Sequence, residues 1–239
     1  MGGCLQLAVI IAAGGVGSRM GLGQSKQLHR LAGRPVLART IAIFEPVSQV
    51  SEIVVAIDPD DTGRFRSEVA AAGAFSKLGE VVSGGENRAS SVNNALAALG
   101  SGADTVLVHD GARPLFTAGL LQRGMAEFTR DTCDGIVFGL PVTDTIKVVR
   151  PEGRIIAETP GRERLWQAQT PQVFTREAIE RGYDAPPEVL NRATDDAFLV
   201  ERAGGVVKMV MGSRENIKLT EPADLVVAEA ILRARQERS

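Results

Sequence analysis

The sequence has few of the features that mark secreted, cysteine-rich or nucleic-acid-binding proteins. It holds two cysteines, Cys4 and Cys133, among 239 residues. That is too few for a disulfide scaffold or a cysteine-based metal site, and it is typical of a reducing compartment. The formal net charge is −2, so the chain lacks the positive charge that attracts nucleic acid. We therefore expect no nucleic-acid partner.

Long apolar stretches are also missing. The run Leu7–Ala13 is too short to cross a bilayer, which takes about 20 residues. No basic stretch followed by an apolar segment and a cleavage site opens the chain, and low-complexity tracts and internal repeats are absent. With 44% hydrophobic residues, the chain has enough apolar material for one well-buried domain. We expect a cytoplasmic protein that does not bind membranes.

What the sequence does contain is an alternation of apolar runs and amphipathic segments. A strand buried on both faces is predicted at Leu7–Ala13, and further strands are predicted at Glu52–Ile57, Asp104–His109 and Gly135–Pro141. Helices are predicted between and after them, at Pro35–Glu45, Asp61–Ala72, Asn87–Leu99 and Leu120–Thr129. This alternation predicts an α/β fold with right-handed crossovers and a mainly parallel sheet. Ligands of such sheets bind at the carboxyl ends of the strands.

The alternation is interrupted between Asp144 and Glu158. Two short β-like runs flank the turn Pro151-Glu152-Gly153, which predicts a hairpin that projects from the sheet. A lone hairpin is marginally stable in water, and its apolar residues have no obvious cover within the chain. We expect this arm to pack on a second copy and to form a homodimer.

A glycine-rich loop follows the first predicted strand. The segment AAGGVGSRMG runs from Ala12 to Gly21, and Lys26 follows it. Glycines let backbone N–H groups approach phosphate oxygens, while Arg19 and Lys26 add positive charge. A P-loop needs Ser or Thr after its lysine, and a dinucleotide fingerprint needs glycine where Met20 stands. The loop predicts a different kind of triphosphate site; an NAD enzyme, with Asp58 as its ribose-binding acid, is an alternative.

Two further motifs follow predicted strands. In the HDGARP motif, Asp110 stands at a strand end where a carboxylate can hold Mg²⁺, and Arg113 can reach an anion. His109 is expected to orient or pack rather than to catalyse. Gly84-Gly85 precede a helix, where backbone can contact a flat base and Ser91 can form hydrogen bonds. A loop salt bridge and a simple helix cap are the respective alternatives.

Taken in order, these motifs resemble the 2-C-methyl-D-erythritol 4-phosphate cytidylyltransferase family of the non-mevalonate isoprenoid pathway. The segments that carry the resemblance are AAGGVGSRMG with Lys26, GGENRASSV, VHDGARP, PVTDTIK, LWQAQTPQVF, TDDA and NIKLT. Ile11 stands where the family usually has proline, and the glycine loop has one extra residue. The resemblance implies a Rossmann-like nucleotidyltransferase with one domain, residues 1–239, whose β-arm over residues 144–158 forms the dimer.

The resemblance also implies the ligands: CTP, Mg²⁺ or another divalent cation, and a sugar-alcohol phosphate. The residues implied to contact the triphosphate are Ala12, Ala13, Gly14, Gly15, Arg19 and Lys26. Those implied to face the base are Gly84, Glu86 and Ser91. Asp110 would serve CTP, the metal and the acceptor. The residues implied to surround the acceptor are Arg113, Thr145, Arg162, Thr194 and Lys218, of which Thr145 and Arg162 belong to the arm region and would act across the dimer.

The implied reaction is attack of the acceptor's phosphate oxygen on the α-phosphorus of CTP, with release of pyrophosphate. A phosphate with a second pKa of about 6 is largely ionised at pH 7, so no general base is needed. The implied catalytic cations are Arg19, Lys26, Arg162 and Lys218, acting through position and charge. The alternatives are a pentitol-phosphate cytidylyltransferase, a sugar-nucleotide-dependent glycosyltransferase, which expects Asp-x-Asp rather than His109-Asp110-Gly111, and a non-catalytic nucleotide-binding regulator.

Overall fold

A seven-stranded sheet is the frame of the computed structural model, which describes residues 5–14, 26–130 and 132–238. The strands are β1 (Leu7–Ala13), β2 (Arg30–Leu31), β3 (Arg34–Pro35), β4 (Val50–Ile57), β5 (Leu78–Ser83), β6 (Thr105–Asp110), β7 (Gly135–Pro141), β8 (Val148–Val149), β9 (Ile156–Glu158), β10 (Trp166–Thr175) and β11 (Val207–Met211). Strands β2 and β3 form one small hairpin, and β8 and β9 form another. The strands predicted at Leu7–Ala13 and Gly135–Pro141 are confirmed with their bounds.

Helices connect the strands and cover both faces of the sheet. They are α1 (Val36–Phe44), α2 (Thr62–Arg64), α3 (Arg88–Ala97), α4 (Ala118–Arg130), α5 (Arg176–Tyr183), α6 (Pro187–Leu190), α7 (Asp196–Arg202) and α8 (Pro222–Gln236). The helical segment predicted over Asp61–Ala72 is confirmed, but it is of mixed type. An α-helical turn at Thr62–Arg64 is followed by a π-helical turn at Phe65–Val69 and a 3₁₀ turn at Ala70–Ala72. Gly63, in its first turn, lowers its intrinsic helix stability.

The strand order is β11-β7-β10-β6-β1-β4-β5. Strand β10 is antiparallel to β6 and β7, and the other neighbours in this sheet are parallel. The predicted mainly parallel sheet is therefore confirmed. Strand β10 reverses direction because the chain returns from β7 through the β8–β9 hairpin, without the helical crossover that a parallel connection requires.

The core has a layer on each side of the sheet. Because side chains alternate along a strand, Val9 and Ile11 of β1 pack in the layer that contains α1 and α4. Ala8 and Ile10 pack in the opposite layer, with α3, α5 and α7. All four side chains are fully buried, which explains why β1 has the unbroken apolar sequence of a central parallel strand.

The β8–β9 hairpin is the arm that the sequence predicted. Val149 pairs with Ile156 in an antiparallel ladder. Its apolar side chains are exposed: Ile146, Val148, Val149, Ile155 and Ile156. The exposure agrees with the expectation that nothing within the described chain covers the arm, while dimerisation through it stays a prediction. Among residues 5–14, 26–130 and 132–238, no helix has the length and apolar character needed to span a bilayer.

Candidate active site

The carboxyl ends of β1, β4 and β6 meet at one edge of the sheet. In the ladder, Ala12 of β1 lies between Asp110 of β6 and Ala56 of β4. The Gly111 amide donates to the Ala12 carbonyl at 2.9 Å, which joins the loop after β6 to the end of β1. The first glycine motif and the HDGARP motif are thus neighbours, as the parallel order of the sheet predicted.

The glycines of the two loops implied to bind nucleotide are in contact. A Cβ atom on Gly14 would lie 3.0 Å from Ser91 Oγ and 3.1 Å from Gly84 Cα. Ser91 Oγ accepts from the Gly85 amide at 3.0 Å and donates to the Asn87 carbonyl at 2.9 Å. Glycine suits this position because the two backbones approach so closely that a side chain would force a neighbour to shift. The structure therefore brings together residues implied to contact the triphosphate and the base.

Other residues assigned to the nucleotide are placed as follows. Ala13 is fully buried at the end of β1. Glu86 is exposed in the loop before α3. Lys26 begins a short 3₁₀ turn, Lys26–Leu28, and its side chain lies outside the described part of the chain. Gly15 and Arg19 also lie outside the described residues.

Asp110 is the centre of a cluster of cations. Its Oδ1 atom lies 3.1 Å from Nε of Arg88, and its Oδ2 atom lies 2.8 Å from Nζ of Lys218 and 3.6 Å from Nε of Arg113. Arg113 also donates through Nη1 to the Asn216 carbonyl at 2.7 Å. Three cations from separate segments therefore surround one carboxylate at the end of β6.

These charges determine the protonation state of the carboxylate. Burial alone would raise the pKa of Asp110, but Arg88, Lys218 and Arg113 together hold its pKa well below the usual range. Burial likewise lowers the pKa of Arg113, opposed by the charge of Asp110. Asp110 is therefore ionised throughout the physiological pH range and is suited to bind cations rather than to act as a proton donor.

His109, next to Asp110, has a different environment. Its ring is fully buried and contacts the rings of Phe44 and Phe116. Burial lowers the pKa of His109 to about 4, which leaves the ring neutral at pH 7. Its Nε2 atom lies 3.0 Å from the Arg113 carbonyl oxygen. His109 thus supports the loop from the core side, in agreement with its predicted packing role.

A cavity of about 240 Å³ opens beside Asp110. The residues that line it are Arg88, Asp110, Arg113, Ala168, Gln169, Thr170, Gln172, Thr194, Asp195 and Lys218. A second cavity, of about 470 Å³, shares Arg113, Gln169 and Lys218 with it and adds Arg214. Thr194, Arg113 and Lys218, which the sequence assigned to the acceptor from three distant motifs, therefore line one cavity with Asp110.

The two acceptor residues of the arm region do not reach this cavity within one chain. Thr145 and Arg162 are exposed, and neither lines the two cavities beside Asp110. Arg162 donates through Nη1 to the Thr143 carbonyl oxygen. Their placement beside the arm fits the expectation that they act on a partner's site, which stays a prediction.

A divalent cation fits this site only together with a phosphate ligand. Within the described ranges, no group of three or more His, Cys, Asp and Glu side chains is placed to hold a metal ion. Asp110 is the single carboxylate assigned to it, and both its oxygens already face cations. Mg²⁺ often binds proteins through one or two carboxylates and takes its other ligands from substrate phosphates and water. The donor set therefore suits an ion that arrives with a triphosphate.

The sequence motifs assigned no role to Arg88 and Asp196, although both lie within the segments GGENRASSV and TDDA. Arg88 Nη1 and Nη2 lie 3.0 and 2.8 Å from the two carboxylate oxygens of Asp196. The sequence did indicate a role for Arg88. A cation directly after a helix cap interacts unfavourably with the helix dipole, so its presence there points to an interaction outside the helix.

A mainly parallel sheet, with touching glycine loops and a cation-lined cavity at its carboxyl edge, is typical of α/β proteins that bind phosphorylated nucleotides. The family model for 2-C-methyl-D-erythritol 4-phosphate cytidylyltransferase matches residues 7–234. The chain belongs to this family.

Individual relatives agree with this assignment. The chain is 43% identical over 230 residues to the 2-C-methyl-D-erythritol 4-phosphate cytidylyltransferase of Rubrobacter xylanophilus, covering 96% of each chain. It is 42% identical over 229 residues to the enzyme of the same name from Geobacter metallireducens, covering 95% of this chain and 97% of the relative. The crystal structure of 4-diphosphocytidyl-2C-methyl-D-erythritol synthase from Anaerococcus prevotii superposes with a TM-score of 0.80 at 27% identity, covering 96% of this chain and 99% of that one.

Proposed function

We propose that this chain transfers the cytidylyl group of CTP to 2-C-methyl-D-erythritol 4-phosphate, giving 4-diphosphocytidyl-2-C-methyl-D-erythritol and pyrophosphate. The observation that carries the proposal is the cavity beside Asp110. Its cations Arg113 and Lys218 surround the carboxylate of a residue that pairs with the end of β1, in a chain that matches this family over residues 7–234. The family match does not favour the pentitol-phosphate alternative.

The chemistry follows from the charges at the site. The acceptor's phosphate is its own nucleophile, since it is largely ionised near pH 7. Arg113 and Lys218 orient it, and Lys218, which is 38% exposed, has the freedom to follow a phosphate oxygen. Positioning of two reactants and stabilisation of developing charge are sufficient for such a transfer.

Other groups complete the proposed site. Arg19 and Lys26 stabilise the charge that develops on the α-phosphoryl group and pyrophosphate. Asp110 would hold the divalent cation that accompanies the triphosphate, and this cation would neutralise phosphate charge. Thr145 and Arg162 reach the acceptor from the arm of a second subunit, so the working unit is a homodimer. We place the protein in the cytoplasm, where its nucleotide substrate is available.

A pyrophosphate-release assay tests the proposal. The purified chain is incubated with CTP, methylerythritol phosphate and Mg²⁺, and each component is omitted in turn. We expect pyrophosphate only when all three are present, and much less when UTP, ATP or GTP replaces CTP. Release from CTP without an acceptor, or no release from the complete mixture, would contradict the proposed transfer.

A further inference from the structure

Arg88 occupies an unfavourable place for a cation. It is the first residue of α3, directly after Asn87, whose side chain caps the helix by accepting from the Ser90 amide at 2.8 Å. The first turn of a helix carries partial positive charge, so an arginine there is disfavoured, and the first turn of α3 contains no acidic residue. The interactions that keep Arg88 in this position therefore come from outside its helix.

Those interactions are two carboxylates on different elements. The terminal nitrogens of Arg88 donate to both oxygens of Asp196 at 3.0 and 2.8 Å. Its Nε donates to Oδ1 of Asp110 at 3.1 Å. The guanidinium is planar, with its donors in a fixed arrangement. The position of Asp196 therefore determines where the Nε–H bond to Asp110 can form.

Asp196 is itself held rigidly. It is fully buried as the first residue of α7. Its Oδ1 atom accepts from the Tyr183 hydroxyl at 2.7 Å, and its amide donates to Gln172 Oε1 at 3.1 Å. It is absent from the lining of the cavity beside Asp110. Asp196 is thus a fixed point behind the site, tied to α5 and β10.

The other side of Asp110 faces the cavity. Oδ2 lies 2.8 Å from Nζ of Lys218 and 3.6 Å from Nε of Arg113. Because Arg88 occupies Oδ1, the carboxylate has one orientation in which Oδ2 meets these two cations. The rotation of the Asp110 carboxylate therefore determines the positions of Lys218 and Arg113, the two cations assigned to the acceptor phosphate.

We infer that Arg88 is a positioning residue for the transfer reaction. Held by its two bonds to Asp196, it fixes the Asp110 carboxylate and thereby the positions of Lys218 and Arg113. This inference rests on the proposed function. A purely structural ion pair would behave differently. Removing one partner of a buried ion pair destabilises the fold, but a purely structural loss of this kind would not separate turnover from nucleotide binding.

The test compares four purified variants by steady-state kinetics, CTP calorimetry and thermal unfolding. Arg88→Lys keeps the charge, but one ammonium cannot reproduce the two bonds to Asp196 together with the bond to Asp110. Asp196→Asn keeps the shape of the side chain and removes the negative charge that the guanidinium binds. We expect each to lower kcat about 10- to 100-fold, with little change in CTP affinity. The Arg88→Lys/Asp196→Asn double variant should lose no more kcat than the worse single variant, since both substitutions break the same connection.

Arg176→Lys is the matched control. The Arg176 side chain is 22% exposed, compared with 25% for Arg88, and it binds Glu180 at 2.7 Å. It lies at the opposite end of β6, where its amide donates to the Asp104 carbonyl. We expect wild-type kcat from this variant, because the same chemical change is made away from Asp110.

The outcomes separate this inference from the proposed function. If the wild-type chain does not transfer cytidylyl groups, both fail. If the wild type is active and Arg88→Lys retains its kcat, or loses CTP affinity in proportion to kcat, only the role of Arg88 is overturned. If Arg88→Lys fails to fold, Tyr183→Phe tests the inference instead. It removes the hydroxyl donated to Asp196 and should lower kcat a few-fold, and an unchanged kcat would overturn the inference.

Discussion

The hydroxyl oxygen of Thr170 connects the two neighbours His109 and Asp110. It accepts from the Asp110 amide at 3.0 Å and lies 3.2 Å from Nδ1 of His109. Nε2 of His109 lies 3.0 Å from the Arg113 carbonyl oxygen, which can only accept, so the proton of the neutral ring lies on Nε2. Nδ1 then accepts from the Thr170 hydroxyl. A neutral His109 holds the loop on which Asp110 and Arg113 are placed.

This arrangement predicts a loss of stability at mildly acidic pH. The pKa of His109 is lowered from 6.5 to about 4 by burial, so the unfolded chain binds a proton at a pH where the folded chain does not. Stability from the neutral ring is complete above pH 6.5 and falls as the pH drops towards 4. The loss amounts to roughly 3 kcal/mol at most.

Urea unfolding of the metal-free protein between pH 7 and pH 4 measures this effect. His109→Gln, which cannot titrate in this range, should show a smaller decrease in unfolding free energy over the same interval, whatever its absolute stability. Equal slopes for the variant and the wild type would contradict a neutral His109. The low pKa of Asp110 places its own contribution at more acidic pH.

Contact between the two glycine loops predicts that Gly14→Ala weakens nucleotide binding. The new methyl group would lie 3.1 Å from Gly84 Cα, a backbone atom that cannot move alone. We expect the loops to separate, with a higher KM for CTP and a stability loss of about 1–3 kcal/mol. Gly119→Ala is the control, because nothing lies within 4 Å of a Cβ there. Calorimetric titration with CTP should separate the two variants, and equal affinities would refute the close-contact argument.

The two lysines of the site should have different kinetic effects. Lys26→Ala should lower kcat by roughly 100- to 1000-fold, since a charge that acts mainly in the transition state is removed. Lys218→Ala should raise the KM for the acceptor more than that for CTP, because Lys218 lines the cavity with Thr194 and Arg113. Lys208 is the control: it is also 38% exposed, but it lies on the edge strand β11 and pairs with Glu127 of α4.

Steady-state kinetics on the three alanine variants decides this point. Lys208→Ala should match the wild type in every parameter. If Lys26→Ala retained near wild-type kcat, Lys26 would be an ordinary surface cation, and the proposed stabilisation of the α-phosphoryl group would have to come from other residues.

The exposed arm predicts a dimer that depends on its apolar side chains. Val149 and Ile156 are a cross-strand pair, exposed to 50% and 54%. Replacing both with aspartate should yield a monomer in light scattering, with reduced turnover because Thr145 and Arg162 no longer reach a partner. Val226→Asp is the control, since Val226 is 71% exposed on α8. A dimer that survives the arm substitutions, or dissociates only with Val226→Asp, would show that the arm is not the interface.

The sequence predicted the parts of the fold that local pattern determines. The unbroken apolar run of β1 is typical of a strand buried on both faces, and its bounds are confirmed. Gly14, Gly84 and Ser91 were placed together by the rule that parallel strands end at one edge. The antiparallel direction of β10 was not predicted, because it depends on the path of the chain through the arm rather than on the composition of Gln172–Thr175.

The ion network behind the site also could not be predicted from the sequence. The pairing of Arg88 with Asp196 joins residues 108 positions apart, and no local spacing encodes it. Arg113 and Lys218 could be assigned to an anion by type and motif, but their shared contact with Asp110 depends on how the loop after β11 packs beside β6. Such contacts are properties of the tertiary structure.

Acceptor choice is the most direct test of the central claim. The enzyme is given CTP and Mg²⁺ with equal concentrations of methylerythritol phosphate and ribitol phosphate, and the products are quantified by mass spectrometry. We predict that 4-diphosphocytidyl-2-C-methyl-D-erythritol is by far the main product, with pyrophosphate in equal amount. Predominant formation of the cytidine diphosphate derivative of ribitol would contradict the proposed function.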